Sequence, residues 1–108
     1  MKIYKLSERQ YGKTLPETGY TDRFVYIFRA VPQTVTTINY MDYVTRSKRF
    51  AYEHADHMAV TTQSNQVVLR AMVEAKDVAE AYNPGEYFYI GQIPVNGRIS
   101  YEANYEDI

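Results

Sequence analysis

The stretch Phe24-Val25-Tyr26-Ile27-Phe28-Arg29-Ala30, closed by Val31-Pro32, decides the reading of this chain. Aromatic and β-branched residues follow one another almost without a polar break, which is the composition of a strand. So continuous an apolar run predicts burial on both faces. Arg29 stands near its carboxyl end, where a charge inside such a run needs a partner or a task. The second strand of this kind is Val67-Val68-Leu69-Arg70-Ala71-Met72-Val73-Glu74-Ala75. Between the two, Ser47 is placed to cap a helix from 48 to about 57, with Phe50, Ala51, His54, Ala55 and Met58 as its apolar stripe.

Outward from these, Ile3-Tyr4-Lys5-Leu6 is expected to form a short strand, followed by a polar loop to about Asp22. Residues 33–39 are expected to form a loop or weak strand, and Tyr43-Val44-Thr45 a short extended piece. Asp77 is expected to cap a helical turn reaching Tyr82, which Asn83-Pro84-Gly85 breaks. Glu86-Tyr87-Phe88-Tyr89-Ile90 reads as a third strand. Arg98-Ile99-Ser100-Tyr101-Glu102 follows the Asn96-Gly97 turn signal as a fourth. The whole is expected to be one α+β domain with a split, mostly antiparallel sheet and one main helix. Its core is expected over residues 24–102, with a loose acidic tail at 103–108.

The 108 residues carry 12 Lys plus Arg against 13 Asp plus Glu, a formal net charge of −1. No overall positive field exists to hold a nucleic-acid backbone, so nucleic acid is not expected as a partner. Cysteine is absent, which excludes disulfides, thiolate metal sites and cysteine nucleophiles. No apolar run has the length of a membrane span, and Met1 is not followed by a signal-peptide core, so a cytoplasmic location and no membrane partner are expected. The 12 Tyr and 4 Phe, with no Trp, suit sheet margins, clefts or interfaces. His54 and His57 share a helix with Glu53 and Asp56, a spacing that permits a metal but does not close a site. Arg46, Lys48 and Arg49 collect at the helix start, where positive charge is unfavourable unless an anion or solvent relieves it.

A constellation of motifs runs through these elements. Arg29 ends the first strand. Asp42-Tyr43-Val44-Thr45 leads into a helix that carries Ala51-Tyr52-Glu53-His54. Val68-Leu69 is followed by Val73, Ala75 and Asp77, and Glu86 stands beside Tyr87, Phe88 and Tyr89. Over about residues 24–91 this order resembles the ADP-ribosyltransferase-like domains of phage head-associated proteins and bacterial toxins. The resemblance implies a compact split-sheet fold that binds NAD in a cleft between the sheet halves. NAD would be a substrate, cleaved at its nicotinamide–ribose bond, with ADP-ribose passed to a macromolecular target such as a host protein. It implies Arg29 at the pyrophosphate or ribose and Thr45 holding the first strand and the nicotinamide ribose. Phe50, Tyr43 or Tyr52 would face the nicotinamide ring, and Glu86 would be the catalytic carboxylate. Met41 stands where that pattern has Gly, and Pro84 stands two before Glu86, where arginine-modifying members carry a second Glu.

Other readings of the same residues stay open. Arg29 could pair with a carboxylate such as Asp42, Thr45 could be an ordinary strand residue, and Glu86 a polar position after a turn. The chain could equally be a catalytically inactive inhibitor that binds a host protein through its tyrosines, or a virion-associated structural domain.

Overall fold

A computed structural model of the chain describes residues 23–107. The expected strand at 3–6 and the loop after it lie outside the described residues. Strand β1, Phe24–Pro32, pairs antiparallel along its whole length with β4, Gln66–Glu74. Between them lie β2 (Thr37–Ile38), β3 (Tyr43–Val44) and helix α1 (Lys48–Thr62). After β4 a 3-10 turn, Ala75–Asp77, leads to β5 (Val78–Glu80). Strands β6 (Tyr87–Tyr89), β7 (Val95–Asn96) and β8 (Arg98–Ala103) follow, and a 3-10 turn at Tyr105–Asp107 comes last.

The described strands form three antiparallel sheets, in the orders β1-β4-β8, β3-β6-β5 and β2-β7. This is an α+β fold with one main helix and a split sheet. The two three-stranded sheets meet at a single bridge, where Phe28 and Thr45 exchange N–H···O bonds of 2.8 and 2.9 Å. Beyond that bridge β1 and β3 part.

Alternation along β1 and β4 sorts their side chains to two faces. Val25, Ile27 and Val31 with Val67, Leu69, Ala71 and Val73 face Val44, Val78, Tyr87 and Tyr89 of the second sheet. On the other face Phe28, Val68 and Ala103 meet Ala51, Ala55 and Ala59 of α1. Alanines four apart let the helix lie close against the strands. Gly97 serves the same end at the β7–β8 junction, since a Cβ there would sit 2.6 Å from the Leu69 Cβ.

Several expectations need correction. Burial on both faces holds at Phe28 alone, because α1 covers only part of the sheet. Phe24 and Tyr26 stand 51% and 42% exposed beyond its amino end. The helix runs five residues past 57, closed by Gln63 in a left-handed conformation (φ 55°). Its buried stripe is Ala51, Ala55 and Ala59, and Phe50 and His54 stay exposed. The helical turn expected from Asp77 to Tyr82 is instead the end of a 3-10 turn followed by β5, which pairs with β6. Asn96-Gly97 makes no hairpin, because Asn96 already pairs with Thr37. The expected tail begins too early: Ala103 is buried under α1.

Candidate functional site

The parting of β1 from β3 opens a cleft of about 490 Å³. Four segments wall it: Phe28 to Ala30 of β1, Tyr43 to Thr45 around β3, the first turns of α1, and the loop between β5 and β6. Arg29, Tyr43, Thr45, Phe50 and Glu86 all line it, although 57 positions separate Arg29 from Glu86 in the chain.

Arg29 works across the split. Its Nη1 donates to the Tyr43 carbonyl at 2.7 Å, and its Nε lies 3.7 Å from Asp42 Oδ2. The guanidinium thus replaces the backbone pairing that β1 and β3 lose after Phe28. The pairing with Asp42 weighed from the sequence is present together with a place on the cleft wall. Asp42 is itself fixed, since its Oδ2 accepts the Asn39 N–H at 2.8 Å.

Thr45 is buried, and its Oγ1 accepts the Ser47 N–H at 3.0 Å. The Ser47 Oγ in turn accepts from the Phe50 N–H at 3.0 Å, which caps α1. These short bonds aim the first turn of the helix at the cleft. Phe50 then stacks on His54 one turn later, with ring centroids 6.2 Å apart and planes within 7°. On the opposite wall Tyr43 leans on Phe88, at 4.6 Å.

Glu86 is held by its turn. Asn83-Pro84-Gly85-Glu86 is closed by the Glu86 N–H donating to the Asn83 carbonyl at 3.1 Å. Proline second and a positive-φ glycine third (Gly85, φ 83°) are the chemistry of a type II turn. The Asn83 Nδ2 also donates to Glu86 Oε1 at 3.1 Å, so the carboxylate is oriented as well as placed.

Tyr52 is the exception among the expected site residues. It lies on the other flank of α1, stacked on Tyr101 at 4.3 Å, with its hydroxyl donating to the Ser100 carbonyl at 2.9 Å. Two helix positions past Phe50 is a rotation of about 200°, so both rings cannot face one cleft. Tyr101 donates to Asp56 at 2.7 Å, and that bond holds its phenol above the ordinary tyrosine pKa.

Among the described residues no group of three or more His, Asp or Glu is arranged to hold a metal, and His54 is engaged with Phe50 instead. No described helix is long and apolar enough to cross a membrane. The sequence reading did not place Asn83 in the site, yet the signal was present. An Asn opening a Pro-Gly turn has its side chain free to bond within the turn.

Known proteins add nothing to this geometry. No family model, curated protein or solved structure matches the chain.

The cleft therefore stands on its own chemistry. It offers a guanidinium, an oriented carboxylate, and aromatic rings on two walls. Such a set suits a ligand that is anionic at one point and planar at another.

Proposed function

We propose that this cleft binds NAD and that the chain transfers ADP-ribose from it to a macromolecular acceptor. The observation that carries the reading is the convergence of Arg29, Thr45, Phe50 and Glu86 on one cleft at the split between the sheets. In this reading the guanidinium donors of Arg29 not turned to Tyr43 and Asp42 meet the pyrophosphate or a ribose hydroxyl. Phe50 and Tyr43 flank the nicotinamide ring.

The chemistry asked of Glu86 is electrostatic. When the bond between the ribose C1′ and the nicotinamide nitrogen breaks, the electron pair leaves with nicotinamide and positive charge develops on the ribose. A fixed carboxylate stabilises that charge and accepts a hydrogen bond from a ribose hydroxyl. The acceptor nucleophile then forms its bond to C1′ and releases a proton. Asn83 contributes by holding the carboxylate in one orientation before the substrate arrives, which lowers the cost of reorganisation.

The test is NAD titration followed by thermal unfolding, with nicotinamide release measured in parallel. NAD at one hundred times its dissociation constant is expected to add about 2.7 kcal/mol of stability. Glu86→Gln is expected to cut nicotinamide release by about 100-fold or more while the melting temperature stays within about 2 °C of the parent. No stabilisation by NAD together with no release overturns the reading.

A second reading has its own observation. Tyr82, 71% exposed, and Tyr43, 49% exposed, both meet the Phe88 ring, at 6.0 and 4.6 Å between centroids. Exposed rings grouped in this way favour a protein-binding module. Capture of a protein that is lost with Tyr82→Ala, without any effect of Glu86→Gln, supports that reading.

A further inference from the structure

A larger groove, of about 890 Å³, opens on the other side of Phe28, where the sheet β1-β4-β8 continues past the amino end of α1. Among the described residues its charged lining is entirely cationic: Arg46, Lys48, Arg70 and Arg98. The net charge of −1 is an average and does not report this.

The pairing of the described cations is uneven. Arg23, Arg29, Arg49 and Lys76 each meet a carboxylate, and all four lie outside the groove. Among the described residues, no carboxylate lies within ion-pair distance of Lys48, Arg70 or Arg98. Arg70 and Arg98 are direct cross-strand partners, an arrangement that destabilises an antiparallel sheet unless something anionic relieves it. Lys48 opens α1, where the helix dipole disfavours a cation. Three separate elements therefore accept unfavourable charge placements around one groove.

The groove also has a stacking surface. Tyr26 lines it and is 42% exposed, and the Arg70 guanidinium lies 4.9 Å from its ring centroid. Met72, the cross-strand partner of Tyr26, is exposed beside it. A guanidinium on a tyrosine makes a flat platform, and a planar heteroaromatic ring is the ligand part that such a platform takes.

We infer that this groove binds a single-stranded nucleic acid, with phosphates on Lys48, Arg70 and Arg98 and a base on Tyr26. A duplex keeps its bases stacked and would leave the Tyr26 ring unused. An acidic peptide would answer the cations and not the ring. The inference is independent of the NAD reading, since it uses the opposite flank of α1.

The experiment is fluorescence anisotropy of the full chain with a labelled 12-nucleotide single strand, its duplex, and poly-glutamate as competitor, across a salt series. With these three cations engaged, log K is expected to fall against log salt with a slope of about −2, because each single-strand phosphate contact contributes about 0.7. Arg70→Ala with Arg98→Ala is expected to weaken binding at least tenfold and to take about 1.4 from that slope. Tyr26→Ala is expected to weaken binding about tenfold and leave the slope unchanged. Arg49→Ala with Lys76→Ala, outside the groove, is expected to change neither. Should the Arg70 and Arg98 double variant fail to fold, Lys48→Glu on the exposed helix start gives the same readout. Absence of salt-dependent binding overturns the inference. So does equal loss in the Arg49 and Lys76 control, indifference to Tyr26→Ala, tighter binding of the duplex, or displacement by poly-glutamate at equal charge.

Discussion

The two depressions share Phe28 as a common wall and treat charge in opposite ways. In the cleft at the sheet split, the charged groups are bound into the protein. Arg29 is tied to Tyr43 and Asp42, and Glu86 to Asn83. In the basic groove, Lys48, Arg70 and Arg98 have no carboxylate within ion-pair distance among the described residues. Internal bonds hold side chains in fixed geometry, which suits chemistry that depends on position. Uncompensated cations hold a field, which suits capture of a polyanion whose exact placement matters less. The same short fold thus carries one depression whose charged groups are internally bonded and another lined by cations, separated by the first turn of a helix.

The difference can be broken from the cleft side first. Arg29→Ala removes the bond that closes the gap between β1 and β3, and among the described residues it leaves Asp42 with no cation within ion-pair distance. It is expected to cost about 1–2 kcal/mol of stability, read by urea unfolding. A cost below about 0.3 kcal/mol would show that the guanidinium does not hold the sheets together.

Ser47 sharpens the comparison because the helix start walls both depressions. Ser47→Ala deletes the acceptor for the Phe50 N–H and is expected to cost about 1 kcal/mol. Both ligand affinities, for NAD and for the oligonucleotide, are expected to fall together in titrations of this variant. A fall in one alone would mean that the two sites are less coupled through α1 than their shared wall implies.

The smallest expected effect lies in the groove. Arg98→Ala relieves the repulsion with Arg70 and is expected to leave stability unchanged or raise it by about 0.2–0.5 kcal/mol. The sign is the informative part. An arginine that stabilises the fold loses stability on truncation, whereas one retained for an external anion does not.

Much of the architecture was legible from local chemistry. The strand at β1, the Ser47 cap, and the turn at Asn83-Pro84-Gly85 each depend on a few adjacent residues, and each forms where the sequence places it. Met41 is a subtler case. Its backbone is left-handed, with φ 71°, a conformation that a side-chain-bearing residue seldom adopts. Its N–H donates to the Tyr89 carbonyl at 2.7 Å, which ties this left-handed residue to β6, and no local sequence signal marks it. The helix stripe was misread because periodicity selects a face by apolarity. The strands beneath select it by fit, and three alanines fit where Phe50 does not. Tyr52 was misplaced for the same reason, since its facing depends on which side of α1 meets the sheet.

The sequence alone determined the two long strands β1 and β4, the start of α1 at the Ser47 cap, and the turn at Asn83-Pro84-Gly85. Those properties follow from steric preference and hydrogen bonding within a few residues. Only the tertiary structure decided that Arg29 and Glu86 share a cleft and that Arg70 and Arg98 stand side by side. Such neighbours are set by strand register and by the parting of two sheets. Those are long-range pairings whose cost and benefit are summed over the whole core, and no local stretch of residues contains them.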